Sequence, residues 1–210
     1  MERSMMMSPK ISDSQREMRK QQILDAAKRV FSEKGYGAAT LKDIIEETGM
    51  SRGWIYLYFQ TKEEIFEALL DHQDAEHEQY IAELLQTSAN VWDVITTLYS
   101  QQQDELLKPP RGGMLPAFYE YFLIGWRDAE RSELLLQRYE EGIVRFAALL
   151  QKGVDQGEFS PAMSVSDISK LAASFQEGIL THTITVGPET ANTQMQQEAL
   201  IQYLHRLLHS

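Results

Sequence analysis

With 210 residues and 43% apolar side chains, the chain is long enough for one large core or two modest ones, and the lack of any cysteine excludes disulfides, thiolate catalysis and cysteine-based zinc sites. A net charge of −11 would argue against nucleic acid if it were evenly spread. It is not: residues 1–62 hold 11 Lys and Arg against 8 Asp and Glu, the remainder 9 against 23, so a front segment at +3 precedes a body at −14.

The opening MERSMMMSPK has no continuous apolar stretch of the secretory kind, and no run approaches ~20 apolar residues, so a cytoplasmic protein without a membrane span is expected. A helical pattern begins after Ser12 or Ser14. Ile23, Ala27, Val30 and Phe31 share its inner face, Arg16, Arg19, Lys20, Lys28 and Arg29 its outside, and Gly35 ends it. Thr40 then caps a short helix with Leu41, Ile44 and Ile45 inward, stopped by Gly49. Ser51 caps a third helix carrying Ile55 and Phe59, and Thr61-Lys-Glu-Glu64 has the form of a capping box opening a fourth. Two short helices joined at Gly49-Met50 form a helix-turn-helix.

The stretch GMSRGWIYLYFQTK (49–62) carries more aromatics than its buried face needs. Ile55 and Phe59 lie ~40° apart and define that face, which leaves Trp54 pointing ~120° away from it. A DNA major groove would cover the indole; folding back over the first helix is the other way to cover it. Lys42, Arg52 and Lys62 each follow a hydroxyl cap at a helix start, where the helix dipole disfavours a cation. A shared anion resolves that conflict, and DNA phosphate is the obvious one. Gly53, costly in a helix by ~1 kcal/mol, suits close approach of phosphate or of a neighbouring helix.

Gly35-Tyr36, Thr40-Leu-Lys-Asp-Ile, Gly49-Met-Ser-Arg-Gly, Ile55-Tyr56, Tyr58-Phe59 and Lys62-Glu63 together resemble the DNA-binding domain of TetR-type transcriptional regulators. The resemblance covers about the first quarter of the chain. It implies an all-α homodimer with an N-terminal three-helix helix-turn-helix domain and a C-terminal helical bundle for effector binding and dimerisation. It also implies phosphate contacts from Thr40, Tyr56, Tyr58 and Lys62, and groove contacts from Ser51, Arg52, Gly53 and Trp54. With Lys42 from the cap argument, these nine residues are the expected DNA-binding set. Trp54 departs from the family pattern, where a smaller residue such as Thr or Ala is usual.

Residues 1–60 are thus expected to form the DNA-binding domain and 61–210 the effector and dimerisation domain. In the latter, Thr61 to Gln86 forms one long helix, Asn90 caps another reaching Leu107, and KPPRGG (108–113) breaks the pattern. Leu115, Phe118, Tyr119, Phe122 and Trp126 make an apolar stripe; with Tyr121, Leu123 and Ile124 the helix is apolar nearly all round and is expected to be interior. A long amphipathic helix spans Arg131 to Gln156. Two terminal helices follow, one with Ile168, Ala172, Phe175, Ile179, His182 and Val186 on a face, the other with Leu200, Ile201, Leu204, Leu207 and Leu208. Such a pair can build a four-helix interface with a symmetry mate or bury within one subunit, and the resemblance places the dimer there.

Trp92, Phe118, Tyr121, Phe122, Trp126 and Phe175 are candidates to line an effector cavity, with plain core as the competing role for each. His72 with Glu76, and His205 with His209, stand four apart, but two ligands are half a metal site. No phosphate loop, nucleophile elbow or HExxH occurs, so neither a metal, a cofactor nor catalysis is expected. The resulting expectation is a DNA-binding repressor released from a palindromic operator, a double-stranded DNA site, by a small apolar or amphipathic effector. Its rival is an architectural or protein-controlled DNA-binding protein with no small-molecule ligand.

Overall fold

The structure is a computed structural model that describes residues 13–109 and 111–209. Those residues form ten helices and no strand: α1 (Asp13–Ala38), α2 (Leu41–Thr48), α3 (Arg52–Ile55), α4 (Lys62–Thr87), α5 (Val91–Leu107), α6 (Leu115–Gly125), α7 (Ala129–Asp155), α8 (Val165–Val186), α9 (Pro188–Ala191) and α10 (Thr193–Leu208). The all-α expectation holds, and the ends of the long helices fall where the caps put them. Thr40, Thr61, Asn90, Asp128 and Ser164 each accept a bond from the backbone N–H three residues on, satisfying a donor that the first turn would otherwise leave unpaired. Gly35 breaks α1 with φ 75° and ψ 170°, and Gly49 closes α2 in the left-handed region at φ 66°.

Two of the caps differ from expectation. Thr40 has the full box, with the Asp43 carboxylate returning to the Thr40 N–H at 2.9 Å. At Thr61 only half the box closes: Glu64 N donates to Thr61 Oγ1, but the Glu64 carboxylate takes the Gln60 N–H at 2.7 Å instead. Ser51 stands at the start of α3 in extended conformation and makes no cap hydrogen bond.

The apolar side chains collect in two clusters. The first joins Ile23, Val30, Phe31 and Tyr36 of α1 to Ile44, Ile55 and Phe59, to Ile65, Phe66 and Leu69 at the start of α4, and to Ala117, Tyr121 and Phe122 of α6. Its centre is aromatic: the Phe66 ring lies 5.0 Å from Phe31, 4.9 Å from Tyr36 and 4.8 Å from Tyr121, in the edge-on and tilted arrangements that ring quadrupoles favour. The second cluster holds Val91, Val94 and Ile95 of α5, Leu149 and Leu150 of α7, Ile168, Ala172 and Ile179 of α8, and Leu200, Leu204 and Leu208 of α10.

Between the clusters α4 buries no further side chain after Leu70. Arginines of α7 hold it there: Arg138 bonds Asp71 at 2.8 Å and Asp74 at 2.5 Å, and Arg145 bonds Glu78 at 2.8 Å. The expectation that α6 is interior all round is corrected. Tyr121 and Phe122 are buried, but Leu123, Ile124 and Trp126 are 65%, 72% and 58% exposed, because α6 packs on α1 along one face only. His182 and Val186 of α8 are exposed in the protomer, so of the two roles weighed for that face they do not serve burial within one subunit.

Candidate nucleic-acid interface and effector cavity

The turn from α2 to α3 is held by its own backbone and by the Thr48 hydroxyl. Gly49 N–H donates to Glu46 O at 3.2 Å, Thr48 Oγ1 to Ile45 O at 2.8 Å, and Met50 N–H to Thr48 Oγ1 at 3.1 Å. Ile44 on one side and Ile55 on the other are fully buried, so the turn is fixed against α1 and cannot rotate freely. This leaves Thr40, Lys42, Ser51, Arg52 and Gly53 exposed, with Trp54, Tyr56, Tyr58 and Lys62 half-buried beside them.

The nine expected DNA contacts therefore fall into different physical situations. Lys42 is 82% exposed and only loosely paired, 3.4 Å from Glu46 one turn on. Arg52 reaches along α3 to the Tyr56 hydroxyl at 3.1 Å and lies over that ring at 5.2 Å, which pre-orients its guanidinium outward. Gly53 has nothing within 4 Å of the place a Cβ would occupy. Packing of a neighbouring helix is thereby removed as its reason, and room for a close partner from outside remains. Thr40 is committed to its cap, donating to Asp43 Oδ2 at 2.8 Å while accepting the Asp43 N–H.

Lys62 departs from the cap argument. Its ammonium donates to Tyr36 O at 2.8 Å and Ala39 O at 2.9 Å and sits 4.3 Å from the Tyr36 ring centroid. Carbonyl acceptors at the end of α1 thus already satisfy much of this ammonium within the protomer. Two of its three N–H groups are engaged, leaving at most one for DNA. Trp54 also departs from the groove reading. Its indole lies 3.8 Å from the Arg19 guanidinium, so it turns back over α1 rather than standing free in solvent.

Charges around the same region are locally neutralised. The Lys34 ammonium and the two bonds from Thr40 hold the Asp43 carboxyl down at about 2. Burial, and then its bond to the Glu63 carboxylate at 2.6 Å, push the Tyr36 phenol well above its ordinary range. Tyr121 is raised for the same reasons, by burial and by its short bond to Glu67. Both phenols therefore act as fixed donors to carboxylates of α4. From α6, Glu120 accepts the Gly37 N–H at 2.7 Å, and a Cβ at Gly35 would run into that carboxylate.

A cavity of about 750 Å³ lies between α4, α5, α7 and α8, a volume typical of small-molecule sites. Its wall includes His77 and Tyr80 of α4, Tyr99, Gln102 and Glu105 of α5, Tyr139, Ile143 and Phe146 of α7, and Gln176 of α8. The six aromatic candidates are not among its lining residues. Phe118, Tyr121 and Phe122 pack in or on the first cluster, Trp92 and Phe175 on the second, and Trp126 is at the surface. Large aromatics on a helix signal burial, whereas this cavity forms where side chains from four separate helices fail to meet. Among the described residues no group of three His, Cys, Asp or Glu side chains could hold a metal, and no helix is long and apolar enough to cross a membrane.

A capped helix, a glycine turn and a short second helix seated on a preceding long one, with exposed cations on the outer side, define a helix-turn-helix DNA-binding protein. Residues 23–69 match the family model of bacterial regulatory proteins of the tetR family, and residues 94–194 that of the tetracyclin repressor-like C-terminal domain. The chain is 34% identical over 212 residues to the HTH-type transcriptional regulator YfiR of Bacillus subtilis, covering 96% of this chain and 98% of that protein. It is 28% identical over 172 residues to the regulator TtgR of Pseudomonas putida, covering 64% of this chain and 82% of that one. Solved structures of the same shape include reduced NemR of E. coli (TM-score 0.73, 14% identity, 90% of this chain and 96% of that one). Another is FadR of Bacillus subtilis in complex with stearoyl-CoA (TM-score 0.67, 18% identity, 88% and 96%). The chain belongs to the TetR family and is a DNA-binding transcriptional regulator.

Proposed function

We propose that this regulator is a homodimeric repressor, released from a palindromic operator when a small molecule enters the cavity between α4, α5, α7 and α8. The operator contacts are assigned to Lys42, Ser51, Arg52 and Gly53, with Thr40, Tyr56 and Tyr58 at phosphates and with Lys62 and Trp54 holding the shape of the surface. The DNA-binding domain is taken as residues 1–60 and the effector and dimerisation domain as 61–210. α6 stands across that division, because its Tyr121 and Phe122 belong to the first cluster.

The observation that carries this reading is the placement of α4. Its first turns carry Ile65, Phe66 and Leu69 in the core beneath the helix-turn-helix, while its Gln73, Glu76, His77 and Tyr80 line the cavity. A ligand that favours a different tilt of α4 therefore re-spaces the two α3 helices, which must match a repeat of ~34–36 Å on the duplex. The ligand shifts that equilibrium only by its differential affinity for the two geometries. Dimerisation is assigned to α8 and α10, where Leu171, Met195 and Tyr203 remain exposed in the protomer. The existence of the cavity favours this reading over an architectural protein without a ligand.

The test is fluorescence anisotropy of the full-length protein on duplexes from its own upstream region, titrated with salt. A duplex preference that weakens steeply with salt and is lost in Arg52→Ala, with the dimer intact by light scattering, is expected. Salt-insensitive binding, or dissociation of the dimer by Arg52→Ala, would overturn the assignment.

A further inference from the structure

We infer that the cavity takes an aromatic organic cation bearing at least one N–H donor, an inference that rests on the cavity being the effector site. Three groups of observations point to that class. Tyr80, Tyr99 and Phe146 contribute aromatic faces, Tyr99 and Phe146 meeting edge to face at 6.3 Å. Such rings stack on planar ligands and attract positive charge. Glu76 from α4 and Glu105 from α5, both exposed, add two carboxylates from different walls, Glu76 lying 3.4 Å from His72.

The third observation is independent of these. Gln176 is 8% exposed, and its Oε1 has no hydrogen-bond partner among the described residues, while its Nε2 is engaged by Gln102 at 2.9 Å. A buried acceptor without a donor is costly, and a ligand N–H satisfies it.

The cations of the wall do not reverse this balance. Arg138 is held by Asp71 and Asp74 and is only 12% exposed. Desolvation, and then the neighbouring Arg145 guanidinium, push the His77 imidazole below its ordinary value although its edge reaches solvent, against the pull of Asp74, Glu105 and Glu78. The charged form of His77 is thereby disfavoured. Lys28 of α1 is the remaining cation, exposed like the two carboxylates and outnumbered by them. Aliphatic surface is confined to Leu98, Ile143 and two alanines of α8, too little to enclose a long acyl chain.

Three ring-matched probes test the inference by calorimetry on the full-length protein: 1-naphthylmethylammonium, 1-naphthylmethanol and 1-naphthoate. The ammonium is expected to bind at least about tenfold more tightly than the alcohol, with the carboxylate weakest. The double variant Glu76→Gln, Glu105→Gln is expected to erase the preference, and Gln176→Leu to weaken the ammonium and the alcohol, which carry a donor, but not the carboxylate, which carries none. Equal binding of ammonium and alcohol, preference for the carboxylate, or no binding of the ammonium overturns the inference, and the wild-type comparison needs no variant to fold. Ala173→Trp, which obstructs the cavity, separates the two readings. Ammonium binding undiminished in that variant lies outside the cavity and overturns the inference; cavity binding with no charge preference rejects only the ligand class, and cavity binding that leaves operator affinity unchanged rejects the cavity as the effector site.

Discussion

Between Thr40 and Lys62 the functional groups lie within a few residues of one another, whereas the cavity wall draws Glu76, Glu105, Tyr139 and Gln176 from four helices. The first region is organised by local rules: a cap, a glycine in the left-handed region and a buried isoleucine on each side of the turn. The second is organised by what long helices leave unfilled when they cross. Rigid, local construction suits a surface that must keep one shape against DNA. A space enclosed by four helices suits a site whose occupancy has to alter their arrangement.

The largest effect that would break this contrast concerns the aromatic centre on which the DNA-binding surface rests. Phe66→Ala should cost about 3–5 kcal/mol, seen as a lowered midpoint in denaturant unfolding, because Phe66 is fully buried among Phe31, Tyr36 and Tyr121. A loss below about 1 kcal/mol would mean that the first cluster does not support the turn. Lys62→Ala comes next, at about 1–3 kcal/mol, from the two carbonyls it leaves without a charged donor. It should weaken DNA binding through the fold, and an unchanged melting curve would return Lys62 to the role of a phosphate contact.

Lys42→Ala and Arg52→Ala should leave the melting curve within about 0.5 kcal/mol of wild type; Lys42→Ala should reduce the salt slope of DNA binding by about 1, whereas Arg52→Ala should relax sequence preference. A slope unchanged in Lys42→Ala while affinity falls would place that cation on a base instead of a phosphate. A smaller effect of opposite sign is expected at Gly53. With open space around its Cβ position, Gly53→Ala should stabilise the free protein by about 0.5–1 kcal/mol and yet weaken operator binding. Destabilisation would show that the glycine serves the fold.

The smallest effect is one of pH. Asp43 is depressed to about 2 by Lys34 and Thr40, so its contribution is complete above the ordinary carboxylate value and lost as pH falls toward 2. Asp43→Asn should flatten that acid limb of the stability profile without shifting the alkaline one.

How much of this was legible in the sequence follows the same division. Helix ends at Thr40, Gly49, Asn90 and Leu107 were readable because caps and glycines act within one turn. The cavity was not, because Gln176 and Glu105 have no sequence relation to each other, and an orphaned amide oxygen exists only once its neighbours are placed. The partners of Lys62 and Trp54 were hidden for a related reason. Each is a surface residue by helical position, but Tyr36 and Arg19 of α1 and Ala39 just after it reach them from elsewhere in the chain. Leu123, Ile124 and Trp126 show the reverse: apolar composition all round a helix implies enclosure, and one side of α6 faces out.

The arginine contacts between α7 and α4 have a mechanical consequence. Asp71, Asp74 and Glu78 repeat every three to four residues, so they form rungs about 5 Å apart along one side of α4. Arg145 already touches two of them, at 3.6 Å and 2.8 Å. Were α7 to slide by one rung, the guanidiniums would keep two of the three carboxylates, and the one released, Asp71 or Glu78, is 73% or 59% exposed and passes to water. This stretch of contact therefore behaves as a toothed rack, permissive toward sliding, whereas the interlocked rings around Phe66 at the far end act as its fixed pivot.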